Sequence, residues 1–266
     1  KSLGAEVAHS RDLAAEDLAG ADALVVIHPL EPWPEEQYQR VWEFVHAGGG
    51  LLLVAGLRTE NDHTPTATNR ILEPLGMEVG FDTAISATRL WQHNVSPLAH
   101  ATTTGLESRP CGFGLTVGPT IRTTWPAAPV LVGPWAWGEP GSEPVFNPDA
   151  RWDPAERLGD CVLAAQQRVG QGKVLVLSDH TSLSNEALPY SYPFVGRALA
   201  TLVSPGGGNQ DRWRQLLGVL AAAAAIVLLA RVADPGWLLA AAGGLAMALL
   251  VARGMAADSW QILPEG

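Results

Sequence analysis

The chain has 266 residues, 47% apolar and 17% charged, with a net charge of −10 and only two lysines, Lys1 and Lys173. So acidic a surface excludes a nucleic-acid partner, which needs clustered Lys and Arg to displace counterions. Two cysteines, Cys111 and Cys161, make neither a disulfide framework nor a zinc spacing, and packing is the role expected of them.

Residues 5–18 read as the tail of a helix and a connector. Residues 21–30 carry Ala-Leu-Val-Val-Ile-His, a continuous apolar run bounded by turn signals, which predicts a buried parallel strand. Pro34 suits a first helical position, and Glu35 and Glu36 favour its positive end. Tyr38, Val41, Trp42 and Val45 then fall on one helical stripe until Gly48, Gly49 and Gly50 end it. Residues 51–55 form a second apolar run, and the strand–helix–strand unit predicts a Rossmann-like crossover. The glycines precede their strand, so they cap a helix and do not cradle a phosphate.

A polar loop over 56–68 follows the second strand, at the edge where open α/β sheets bind ligands. A short helix is expected over 69–75. From 77 to 145 Thr, Pro and Trp abound and runs are short, which predicts a β-rich excursion outside the main sheet. Of the tryptophans there and just after, Trp125, Trp135, Trp137 and Trp152 are expected chiefly as core, with an exposed aromatic surface for a partner as the alternative. The acidic stretch with Asp149, Asp153 and Asp160 lacks the calcium-loop spacing and reads as a solvated loop paired with Arg151 and Arg157. Runs at 161–165 and 173–177, separated by Gly170-Gln171-Gly172, predict a hairpin that closes the sheet. A polar loop over 178–186 and a helix over 192–202 complete this domain.

Residues 206–211 read as a Gly-rich linker. Beyond it, 216–230 and 237–252 are uncharged, separated by a turn holding Arg231, Asp234 and Pro235. With Trp213 and Trp237 as interfacial aromatics, residues 212–257 predict a transmembrane helical hairpin in a lipid bilayer, and 258–266 the start of a following segment. Arg212, Arg214 and Arg253 against Arg231 place the 1–205 domain on the cytoplasmic side of a bacterial inner membrane, as part of a multi-pass protein.

These segments carry a resemblance. Ala21-Asp-Ala-Leu-Val-Val-Ile27, Glu35-Glu-Gln37 and Val45-His-Ala-Gly-Gly-Gly-Leu-Leu-Leu-Val54 resemble the class I glutamine-amidotransferase-like superfamily. Within it, Asp62-His63-Thr64, Asn69-Arg-Ile-Leu-Glu-Pro-Leu-Gly76, Gly172-Lys-Val-Leu-Val-Leu-Ser-Asp179 and Asn185-Glu186 are similar to a membrane-associated offshoot. That offshoot is related to gliding-motility ABC-transporter accessory and intraflagellar-transport proteins. The resemblance implies a flavodoxin-like, mostly parallel sheet. Amidotransferases place a nucleophilic Cys on a strand-to-helix elbow; here Gly56-Leu57-Arg58 follows the strand, so amidotransferase activity is not implied.

The candidate site residues lie on the polar loops: His28 after the first strand, Asp62, His63 and Thr64 after the second, Asp179, His180 and Asn185 after the last. Three readings stay open for them. They could form a pocket for a ligand or partner protein, cap their own turns, or bring His63, Asp179 and His180 to a metal that supports hydrolysis. No catalytic residue and no cofactor is assigned. The expected function is a membrane-anchored, non-catalytic domain that binds a partner in an envelope or transport assembly, with a metal- or His/Asp-dependent hydrolase as the alternative.

Overall fold

The computed structural model describes residues 4–56, 66–86, 95–106, 112–115, 118–141, 151–154, 156, 158–204, 217, 218, 220, 221, 224 and 244. The chain divides into two compact units, Lys1–Pro205 and Gly206–Gly266. The first unit opens with a single turn, α1 (Ala15–Leu18), and is built on the crossover the sequence predicts. β1 (Ala23–Ile27) leads through α2 (Glu35–His46) to β2 (Gly50–Val54), which lies parallel to β1 in an unbroken register from Ala23↔Gly50 to Ile27↔Val54. Tyr38, Val41 and Val45 are buried on α2, as the stripe requires. Pro34 stands at the N-cap, one residue earlier than expected.

After α3 (Ala67–Leu72), β3 (Met77–Val79) pairs with β6 (Ile121–Thr123) in a small antiparallel ladder. The Asn69 side chain clamps the ladder to α3: its amide donates to Val79 O and its carbonyl accepts from Val79 N, each at 2.8 Å. The remaining strands are β4 (Asp82–Ser86), β5 (Ser96–Pro97), β7 (Ala128–Pro140), β8 (Gly159–Val169) and β9 (Gly172–Leu177). The main sheet runs β1-β2-β9-β8-β7-β4, with β5 beside β7.

This is a mixed sheet, and it corrects the flavodoxin-like, mostly parallel expectation. Only β1, β2 and β9 run parallel; β8, β7 and β4 are antiparallel in turn. The supposed excursion therefore supplies β4, β5 and β7 to the main sheet. The physical reason is visible in β7. Register shifts fall at Pro129/Leu131, Leu131/Val132 and Gly133/Ala136, and bulges of this kind destroy the alternation by which a strand is read.

The hairpin between β8 and β9 does form. Val169 pairs with Gly172 across a two-residue turn in which Gly170 has φ +56°, the left-handed conformation such turns demand. Any side chain at Gly172 would meet Val45 O at 2.2 Å, so glycine is what lets the turn tuck under the end of α2.

Both faces of the parallel strands are covered. Leu51, Leu53, Val174 and Val176 pack with α2, α3, Met77, Val79 and Ile121 on one side. On the other, Leu52, Val54, Leu175 and Leu177 pack with Phe113, Leu115 and the buried face of α4 (Leu188–Val203). Lys173, itself buried, reaches the end of α4 and donates to Thr201 O at 2.6 Å and Ser204 O at 2.8 Å. A cation thus meets the carbonyls a helix C-terminus leaves over. β1 departs from the buried strand expected of it, since Val25 is 41% and Ile27 52% exposed at the sheet edge.

The transmembrane hairpin is also corrected. Among the described residues no helix is long and apolar enough to cross a membrane, so the structure does not support a multi-pass membrane protein with the bilayer as its partner. Of residues 212–257 only 217, 218, 220, 221, 224 and 244 are described, all helical and exposed; the rest of that segment lies outside the described residues. The sequence holds the reason. Uncharged cores of 15 and 16 residues extend only roughly 22 and 24 Å as helices, against a hydrocarbon layer of about 30 Å. Six residues in each core are alanine, which partitions weakly.

Candidate functional site

The parallel register brings Ile27, Val54 and Leu177 to one level, so the residues that follow them share the C-terminal edge of the sheet. Backbone bonds carry the ladder one step further, from His28 N to Val54 O at 2.7 Å and from Ala55 N to Leu177 O at 2.8 Å. There the three chains diverge. His28 takes φ +51°, a left-handed conformation that turns the chain sharply out of β1. Its ring stacks on that of His180, with centroids 4.9 Å apart and planes 15° from parallel.

Gly56 makes this stack possible. A Cβ on Gly56 would lie 2.4 Å from His180 Nδ1 and 3.5 Å from His28 Cδ2. The absence of a side chain at Gly56 leaves the clearance beneath two imidazoles. Sequence reasoning registered Gly56 only as a missing Cys; the signal it carried was a glycine directly after a buried strand, where backbone and side chains approach closely.

Asp179, only 3% exposed, is engaged in its own turn. Oδ1 accepts from Thr181 N at 3.0 Å and Oδ2 from the Thr181 hydroxyl, which fixes the 3-10 turn Thr181–Leu183. His180 Nδ1 stands 3.9 Å from Asp179 Oδ1, beyond hydrogen-bond reach. Ser191 Oγ donates to Ser182 O at 2.6 Å and ties the turn to α4. Close packing seals its inner side, where a Cβ on Gly118 would meet Ser178 O at 2.4 Å.

Of the predicted site residues, His28, Asp179 and His180 thus come together. Asn185 is exposed in the turn before α4, and no hydrogen bond among the described residues ties it to the imidazole pair. Asp62, His63 and Thr64 lie outside the described residues. Among the described residues, no three of His, Cys, Asp and Glu gather where they could hold a metal ion.

The other residues singled out in the sequence have local roles. Cys161 is buried in the core on the α4 side, and Cys111 lies outside the described residues. Asp153 and Glu156 close a small turn, with Asp153 N donating to Glu156 Oε2 at 2.8 Å and Trp152 Nε1 to Glu156 O at 3.0 Å. Trp137 is core, as expected, whereas Trp125, Trp135 and Trp152 are exposed, against the expectation for those three.

No family model matches the chain, and no curated protein matches it. Among solved structures, the chain is similar to the N-terminal domain of mmIFT52, at 15% identity and a TM-score of 0.49, over 73% of this chain and 81% of that one. A cytoplasmic protein of Salmonella typhimurium LT2 is similar at 16% identity and a TM-score of 0.42, over 71% and 75% of the two chains. A β-galactosidase from Rahnella sp. R3 is similar at 16% identity and a TM-score of 0.40, over 69% of this chain but 23% of that one. At such identities and scores, no activity or partner passes from these proteins to this chain.

Proposed function

We propose that the first unit is a non-catalytic binding domain that receives a partner protein or ligand at the C-terminal edge of β1, β2 and β9. The observation that carries this reading is the His28–His180 stack over Gly56. His180, half-exposed and backed by the His28 ring, offers an imidazole edge with hydrogen-bonding capacity in both directions.

The same geometry argues against turnover. Nucleophilic catalysis needs a thiol or hydroxyl held against a base that a third group orients. Gly56, which carries neither group, follows β2 and Ala55. Asp179 accepts from Thr181 through both oxygens and stands 3.9 Å from His180 Nδ1, too far to orient that imidazole by a hydrogen bond. Loops at this edge of an α/β sheet bind by shape and hydrogen bonding on a rigid frame, and the three parallel strands supply that frame.

The hydrolase alternative is separable by experiment. The purified full chain, its His63→Ala variant and its His180→Ala variant are analysed for bound metal and assayed against simple carboxylic and phosphate esters. The binding-domain reading expects metal at trace level in all three, and ester hydrolysis at the buffer rate in all three. Stoichiometric metal, or hydrolysis that disappears with His63 or His180, would overturn it.

A further inference from the structure

We infer that β1 is a self-association edge, at which two copies of this chain join their sheets antiparallel about a two-fold axis through Val25. This edge adjoins the imidazole pair at His28, and the inference goes beyond the proposed function.

The ladder with β2 fixes which groups are free for it. Gly50 N donates to Asp22 O at 3.0 Å and His28 N to Val54 O at 2.7 Å, so even-numbered residues bond to β2. In a parallel pair the bonding residues alternate, and Ala23, Val25 and Ile27 therefore turn both N–H and C=O outward. No backbone or side-chain partner meets these outward groups among the described residues. The opposite end of the sheet is not open in this way. There Ala84 N donates to Gly118 O at 2.9 Å, and the Asp82 carboxylate accepts from Thr120 N and Oγ1 at 2.7 and 2.6 Å.

Edge strands are ordinarily protected by charges, prolines or bulges. Between Ala23 and Ile27 there is no charged residue and no proline, and the register with β2 is unbroken. Val25 and Ile27 are instead exposed on the face that carries α4. The helix continues this apolar shelf. Its far flank is occupied, since Arg197 bonds to Thr104 O and Phe194 meets Phe113 edge-on. At 100° per residue, Leu188, Tyr192 and Val203 then lie on the opposite flank, toward β1, and all three are exposed.

The edge is complementary to itself, and this selects the occupant. A two-fold axis at Val25 sets Val25 against its counterpart and Ala23 against Ile27. Outward groups at alternate, odd positions then meet as hydrogen-bonded pairs in both directions. The same register sets the acidic end of one strand, at Asp22, opposite the imidazole end of the other, at His28. The two copies of α4 come to lie about three strand spacings apart, roughly 14 Å, a gap that flanking tyrosines and valines fill.

The test uses the full chain. Sedimentation over a concentration series is expected to give a reversible monomer–dimer equilibrium, and Val25→Lys or Ile27→Lys to weaken it by about tenfold or more. The far-ultraviolet circular dichroism of these variants is expected to match the parent, because both sites are exposed. Register is checked by mixing Ala23→Cys chains with Ile27→Cys chains under mild copper-catalysed oxidation. The mixture is expected to form an intermolecular disulfide well above either variant alone, since paired Cα atoms about 5.5 Å apart suit one. A chain that stays monomeric at every concentration overturns the inference. So does a dimer that Val25→Lys leaves intact, or a disulfide yield equal in the mixture and the single variants.

Discussion

At the scale of single residues, His28 and Gly56 set the site, and each does so through backbone geometry. His28 sits in the left-handed region, where an L side chain costs about 1–2 kcal/mol. His28→Ala should therefore destabilise the fold more than His28→Gly, by about 1 kcal/mol in chemical denaturation. An equal effect of the two would show that the strain is absent. Gly56→Ala places a methyl against His180 Nδ1. Because His180 is half-exposed and can swing aside, the expected stability loss is small, about 1 kcal/mol. The ring-current shifts of the stacked imidazole protons should nevertheless disappear from the NMR spectrum. Neither role shows in residue identities. The sequence marks His28, Asp179 and His180 as polar residues at strand ends, but stacking and the positive φ belong to the packed structure. Asp179 shows the converse: turn capping was among its expected roles, and the bonds to Thr181 are what such a residue makes locally.

At the scale of elements, the legible parts are those with uninterrupted periodicity. β1, α2 and β2 follow from two apolar runs and one helical stripe, and the β8–β9 hairpin from Gly170-Gln171-Gly172. β7 was not legible, because Pro129, Pro134 and three register shifts break its alternation. The long helix α4 was legible in part; its first turn, before Tyr192, carries Pro189 and reads as loop. Two substitutions probe what holds α4 to the sheet. Phe194 is fully buried against Phe113, and Phe194→Ala should cost about 3–5 kcal/mol. Lys173→Met keeps the apolar stem but withdraws the donor from Thr201 and Ser204. Hydrogen bonds to a charged donor contribute about 1.5–3 kcal/mol, so a lowered urea midpoint with faster amide exchange near residue 201 is expected. Unchanged exchange there would remove Lys173 from the account of this helix end.

At the scale of the whole chain, the structure reassigns where apolar surface matters. The sequence points to the uncharged runs beyond residue 212, whose cores are short and alanine-rich for a bilayer. Within the first unit the β1 edge leaves Val25 and Ile27 to solvent. A buried parallel strand and a sheet-edge strand share the same five-residue apolar run, and only the strand order tells them apart. At the C-terminal edge of the same sheet, the proposed function has a partner dock over the imidazole pair. The most direct measurement is photo-crosslinking in the cells of origin, with benzoylphenylalanine at position 180 and, as control, at position 168 near the opposite end of the sheet. One discrete adduct with a different protein is expected from position 180, lost when Gly56→Val is added, and none from position 168. No adduct from position 180, or equal adducts from both positions, would contradict it.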